Sequence, residues 1–190
     1  MKKKIVLLLC LSLGVFTSCS NDDSNSTTVP PTDNSTIKTF KDVTFSLDES
    51  EGFDAGRFFS TELGKSFKKS KIDATILPKI DLAFYSGSFS LNAFVSPNNS
   101  DHGIKNATTS IFLNNPKGSI TVDQFNKIEK STDFDTLKLD ADDNESFPDN
   151  LTPTVVLFKN AAGKKGAIHV KSVSRAGYDP RIVVDIKIQK

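Results

Sequence analysis

The chain is poor in the residues that cross-link a fold or ligate a metal. Cysteine occurs twice, at Cys10 and Cys19. Nothing after residue 19 can therefore form a disulfide, act as a thiol nucleophile or supply a cysteine ligand to zinc. Histidine also occurs twice, as His102 and His169, which is too few for a three-histidine zinc site. Tryptophan is absent, and Tyr85 and Tyr178 are the only tyrosines. Sugar-binding sites built on broad aromatic faces are therefore disfavoured, although paired carboxylates for glycoside hydrolysis need no sequence adjacency. No Gly-x-Ser-x-Gly elbow occurs. Leu63-Gly64-Lys65-Ser66 has the end of a phosphate-binding loop, but Phe59 stands where its leading glycine belongs. Neither charge sign is in excess, with 24 Lys and Arg against 23 Asp and Glu. A nucleic-acid partner is therefore not expected.

The N-terminus is more informative. Met1-Lys2-Lys3-Lys4 precedes an apolar run from Ile5 that reaches Phe16. A cationic start and a short apolar stretch are the layout of an export signal. The run is shorter than the roughly 20 residues that a membrane-spanning helix needs. It ends in Phe16-Thr17-Ser18-Cys19, and Ser20-Asn21-Asp22-Asp23 follows. The first four resemble the bacterial lipobox, with Phe16 where leucine is commonest. That resemblance implies diacylglycerol on Cys19 and cleavage after Ser18. An acidic pair behind the lipidated cysteine is similar to the lipoprotein export signal of Bacteroidota, with Ser20, Asn21, Asp22 and Asp23 as its residues. It implies a lipoprotein of the outer membrane facing the cell exterior, the periplasmic face being the alternative. Stable attachment suits this chemistry, since one acyl chain anchors only marginally.

Three segments follow: a leader at 1–18, a tether at 19–36 and one domain at 37–190. Removing the leader lysines leaves 21 basic against 23 acidic side chains. The tether is Ser, Thr, Asn, Asp and Pro, with almost nothing to bury, and is expected to be flexible. The domain reads as mostly β. Ile182, Val184, Ile186 and Ile188 alternate with Val183, Asp185, Lys187 and Gln189. That period of two puts one set on a core face and the other mainly on solvent. With 154–158 and 167–173, this closing segment forms an antiparallel meander, its strands joined by loops at 160–166 and 174–180. Further strands are expected at 43–47, 57–61, 80–85, 89–95 and 110–113. One helix is expected at 122–130, because Thr121-Val122-Asp123-Gln124 fits a capping box. The expected fold is an antiparallel β-sandwich or curled sheet with one short helix and a phenylalanine-rich core.

Two stretches resemble small β-rich Bacteroidota lipoproteins related to secreted haemophores, over about half of the domain. One is Phe58-Phe59-Ser60-Thr61-Glu62-Leu63-Gly64-Lys65 with Lys79-Ile80-Asp81-Leu82-Ala83-Phe84. The other is Gly163-Lys164-Lys165-Gly166-Ala167-Ile168-His169-Val170-Lys171 with Asp185-Ile186-Lys187-Ile188-Gln189. The resemblance implies an all-β domain with ligand capture, and makes His102 and His169 candidate axial haem ligands. Against this, Ile168 and Val170 should face the core and leave His169 on the other face. His102 lies in the polar run Pro97–Gly103. Solvated histidine is the plainer expectation for both.

Asp140-x-Asp142-x-Asn144 offers the hard oxygens that calcium takes, beginning like an EF-hand loop. Glu145 then replaces the required glycine, and Leu151 stands where the bidentate glutamate should be. Asp135-Thr136-Leu137 resembles the Bacteroidota O-glycosylation motif, with Thr136 as acceptor if exposed. The sequence leads to a non-enzymatic surface lipoprotein that binds an extracellular ligand or another envelope protein, joins the membrane through its N-terminal lipid and requires no cofactor. The alternatives are a small-ligand carrier of haem type and a carboxylate-dependent hydrolase.

Overall fold

A computed structural model of the chain describes residues 37–190, apart from 51, 88–89, 117–119, 152–153 and 177–178. The leader, Cys19 and the residues of the export signal lie outside the described residues.

The domain is an antiparallel β-sandwich. The strands are β1 Ile37–Ser46, β2 Phe58–Ser60, β3 Lys65–Phe67, β4 Leu82–Ser86, β5 Leu91–Val95, β6 Ile111–Leu113, β7 Phe147–Pro148, β8 Thr154–Lys159, β9 Lys165–Ala176 and β10 Asp179–Gln189. They form two five-stranded sheets, ordered β1-β10-β9-β8-β6 and β3-β2-β4-β5-β7. The β8-β9-β10 meander is present, with Ile186 opposite Ile168 and Val156 opposite the same Ile168. The connection expected at 174–180 is narrower than the sequence suggests: β9 continues to Ala176, and β10 starts at Asp179. Two very short strands, β3 and β7, carry too few residues to show an alternation.

Apolar alternation explains the core. Ile182, Val184, Ile186 and Ile188 on β10 face β9's Ile168 and Val170 side of the first sheet and are essentially fully buried. The second sheet answers with Phe59, Leu82, Phe84, Phe94 and Phe147. Phenylalanines fill the gap between the sheets in a connected set of rings. Phe45 of β1 meets Phe94 edge-on at 5.3 Å, Phe59 at 5.8 Å and Phe84 at 6.3 Å, so one ring of the first sheet touches three strands of the second. Edge-on and tilted contacts suit the ring quadrupole and add to the burial.

Phe40 and Phe45 both face this core although they stand five positions apart, an odd number. An uninterrupted strand would send one of the two outward. The register against β10 shifts between Phe40 and Val43, and Asp42 takes φ 55°. A bulge there re-phases the strand, and Asp tolerates the left-handed conformation better than a branched residue would. β9 has a matching shift at Lys171, opposite the step from Val183 to Val184. The two bulges meet over β10: Asp42 N–H donates to Asp185 Oδ1 at 2.8 Å, and Lys171 Nζ pairs with both Asp42 and Asp185.

Two polar clips fasten the sheets beside the core. Asp81, preceding β4, accepts from Thr61 N–H at 2.8 Å, Thr61 Oγ1 at 2.6 Å and Asn160 Nδ2 at 3.1 Å. All three residues are buried, so these bonds offset the cost of taking a carboxylate out of water. The second clip holds Arg175 of β9 bidentate on Asp149, at 2.7 and 3.1 Å, and on Ser86 Oγ at 2.8 Å. The Arg175 hydrogen bond is the chief cause holding the Asp149 carboxyl below its ordinary range.

The outer face of the first sheet is not mainly solvent, as the alternation alone suggests. Helix α1, Val122–Lys127, and the turns after it cover that face through Phe125, Ile128, Phe134 and Leu139, which pack on Val155, Leu157 and Ala167. The capping box forms: Gln124 N–H donates to Thr121 Oγ1 at 3.2 Å, and Thr121 N–H to Gln124 Oε1 at 2.7 Å. The helix stops earlier than 130, because Ile128 is already extended. Lys187 Nζ takes the carbonyls of Phe125, Asn126 and Ile128 at 2.8–3.0 Å. Lys165 Nζ does the same for Phe134, Asp135 and Leu137. An ammonium with three donors is well matched to carbonyls that a short helix or turn leaves open.

Phe45→Ala is expected to cost about 3–5 kcal/mol in urea unfolding, and Phe45→Leu clearly less, because only the first leaves a ring-sized cavity at the point where three strands meet. Equal midpoints for the two variants would show that the ring contacts do not hold the sheets together.

Candidate functional site

The site is built on the outer face of the second sheet. On β4 and β5, Phe84 and Phe94 point into the core. The opposite phase therefore presents Tyr85, Leu91, Ala93 and Val95 outward. Two segments rise beside this floor and make a groove of about 500 Å³.

One wall is the turn-rich run after β5. Asn99 organises it: its Oδ1 accepts from Asp101 N–H at 3.1 Å and His102 N–H at 2.9 Å, and its backbone carbonyl accepts from Gly103 N–H at 2.8 Å. Gly103 allows the turn to close, since a Cβ there would lie 2.4–2.6 Å from the Pro97 and Asn99 backbone. Arg57 Nη2 donates to the His102 carbonyl at 2.7 Å. Burial pushes the Arg57 guanidinium down from its ordinary value, opposed by the Glu49 charge. With its backbone held on both sides, His102 lays its ring flat on Tyr85, at 3.7 Å between centroids and 14° between planes.

The other wall is the acidic segment before β7. Asp142 Oδ1 accepts from Phe112 N–H at 2.6 Å, and Asp143 N–H donates to the Phe112 carbonyl at 3.2 Å. The Asp143 carboxylate takes Asn115 N–H at 2.9 Å and Glu145 N–H at 3.0 Å. These bonds close the open edge of β6. Asn114, which is buried, accepts from Phe94 N–H at 2.7 Å and donates to the Phe94 carbonyl at 3.0 Å, replacing a neighbouring strand where β7 ends. Asp101 on the first wall and Asp142 and Glu145 on the second give the groove three carboxylates, and among the described residues no Lys or Arg lines it.

The candidates from sequence are placed as follows. His102 is in the groove, half-buried and stacked rather than solvated. His169 is on the far outer face, half-buried: its ring packs on Phe125 at 5.4 Å, and Nε2 is buried with no hydrogen-bond partner. The whole sandwich separates the two histidines, so they do not form a paired axial set. Asp142 and Asn144 line the groove, with Asp142 bonded to the β6 backbone and Asn144 at φ 52°. Asp140 is exposed. Among the described residues no set of three or more His, Asp, Glu or Cys side chains converges as a metal site. Thr136 is exposed, on a turn that Lys165 holds through the Asp135 and Leu137 carbonyls. Leu63-Gly64 closes the β2–β3 turn, with Gly64 at φ 65°, and Lys65-Ser66 begins β3. Tyr85, Asn99 and Asn114 carry the groove geometry and were not singled out by sequence. In sequence the run Pro97–Gly103 reads only as a polar loop.

A larger recess of about 570 Å³ lies between the edges β1 and β3. It is the seam between the sheets, lined by lysines and aspartates together, and one of its lysines, Lys68, already donates to the Ser50 carbonyl. The smaller groove has the better defined walls and the aromatic stack.

No family model matches the chain, and no curated protein does. Among solved structures it is similar to the crystal structure of a DUF4466 family protein from Parabacteroides merdae ATCC 43184, with a TM-score of 0.54 and 15% identity over 82% of this chain and 54% of that one. The chain thus spans about half the length of that protein. At this identity the likeness shows the fold alone.

His169 gives the domain a measurable pH dependence. Desolvation under Phe125 lowers its pKa from the ordinary 6.5; Asp185 opposes this, and Lys171 adds to it. Below pH 6.5 the unfolded chain takes up a proton that the folded chain refuses. Stability therefore falls with pH from 6.5 down to the folded pKa, and this contribution is flat below it. Thermal melts from pH 7.5 to 5 are expected to show that loss in the wild type and a shallower slope in His169→Phe. Parallel slopes would mean that the imidazole titrates as freely in the fold as in the unfolded chain.

Proposed function

We propose that this protein is a lipid-anchored lipoprotein of the outer membrane, displayed at the cell surface, which binds a ligand or an envelope protein without turning it over. The observation that carries the binding part is the groove on β4 and β5. Its walls are fixed by backbone hydrogen bonds to Asn99, Asp142 and Asp143, and its floor stays open, with Leu91 41% exposed. Preformed concave sites with a few converging polar groups are the usual form of ligand pockets. Asp142 and Asp143 of the second wall serve backbone N–H groups in β6 and just after it, a supporting role that suits a binding surface better than proton transfer. The anchoring part is supported by the lipobox-like Phe16-Thr17-Ser18-Cys19 and the acidic Asp22-Asp23. The residues between Cys19 and Ile37 reach no more than about 60 Å when fully extended, which keeps the groove close to the envelope.

Two experiments test the two parts. Labelled palmitate is expected to enter the wild type and not Cys19→Ala. Protease added to intact cells is expected to digest the wild type and spare Asp22→Ala/Asp23→Ala. Digestion only after lysis would turn the domain to the periplasm. For the groove, the detergent-solubilised full chain is applied to glycan and peptide arrays. Binding is expected to be lost at least tenfold in Ser146→Trp, which fills the groove from its wall, while the melting curve stays cooperative. An unchanged array profile would move the binding surface elsewhere.

A further inference from the structure

We infer that the occupant of this groove is an extended cationic peptide, one presenting Lys or Arg side chains. The inference rests on the reading of the groove as the binding site and adds the chemistry of what it takes. The first argument is charge. Asp101 faces Asp142 and Glu145 across the floor, and no ion pair among the described residues neutralises any of the three. Arg57, the cation behind the first wall, is half-buried with Nη2 on the His102 carbonyl, so it supports the wall and does not line the groove. A cleft lined by one sign concentrates field and draws ions of the other sign.

The second argument is the floor. Leu91 is one of two large hydrophobic side chains left well exposed among the described residues, the other being Leu63 in the β2–β3 turn. Ala93 beside it is small and buried, so Leu91 is the apolar surface offered between two acidic rims. Lys and Arg match that cross-section: they lay an aliphatic stem on apolar surface and keep the charged head at the polar edge. Phosphate or carboxylate ligands would meet three like charges.

The test uses the full chain in detergent and a fluorescein-labelled peptide of three Arg-Leu repeats, with three Glu-Leu repeats as its counterpart. Anisotropy is expected to report saturable binding of the first and none of the second, weakening as salt rises. Asp101→Asn/Glu145→Gln is expected to bind at least tenfold more weakly. The side chains of that pair hold no backbone group in place, so the wall should survive. Asp123→Asn/Glu129→Gln makes the same charge change on the helical cover of the other sheet and is expected to stay within twofold. Equal loss in both pairs, or equal binding of the two peptides, overturns the inference. If the Arg-Leu peptide fails to bind while Ser146→Trp still abolishes array binding, the groove stands and the cationic class falls. If Ser146→Trp changes nothing on the array, both readings fall.

Discussion

The contact between Phe45 and the three rings of the second sheet fixes much else in this domain. For Phe45 and Phe40 to enter one core from one strand, β1 must gain a residue between them, and it does so at Asp42. Val170 and Val173 impose the same odd spacing on β9, with the shift at Lys171. The two bulges then sit on either side of Asp185, where a lysine and two aspartates hold both. Exposed pairs of this kind contribute little energy by themselves. Their value here is positional: the ion group marks where both strands change phase, so that the apolar faces on each side of the bulge reach the same rings.

A sandwich buries one face of each sheet and leaves two others to manage. The first sheet is covered along its middle strands by α1 and the turns behind it. That cover lacks length, so its open carbonyls are met from below by Lys165 and Lys187, and Gln189 Nε2 donates to the Ser131 carbonyl. Side chains that read as solvent-facing in a strand are thereby drawn under a second layer. His169 shares this layer with its Nε2 buried and without a hydrogen-bond partner, and desolvation favours its neutral form.

Much of this was legible in sequence, and the missing parts have physical reasons. Ile182 to Ile188 announced a strand with one buried face, because four branched residues at period two leave no helical reading. Thr121 and Gln124 announced a helix start, because the two ends of a capping box are local. The helix end was not legible: it depends on Lys187, about sixty residues away in sequence. Nor was the layer above Lys187 and Gln189, since polarity in a strand does not distinguish water from the carbonyls of a covering turn. The acidic run 140–145 read as oxygen ligands for an ion. The structure spends Asp142 and Asp143 on backbone N–H groups of 112 and 115, a use that only the edge position of β6 reveals. His102 looked like a loop histidine because its partner, Tyr85, lies on a strand with no sequence relation to it.

The location of the groove follows from how the second sheet is covered. Over β2 and the start of β4, Ile72, Ile76 and Ile104 pack on Phe58, Ile80 and Ala83 and close the surface. That apolar cover reaches Val95 but does not extend to Leu91. The segment after β5, 96–103, is turned back by Asn99 and pinned by Arg57, so it stands as a wall. On the far side, 142–146 is held upright by the edge of β6 and passes into β7. Leu91 between them is uncovered because both neighbouring segments are engaged elsewhere in the fold, with hydrogen bonds that a ligand does not have to displace. Under the proposed reading, a partner meets these walls at little cost in reorganisation.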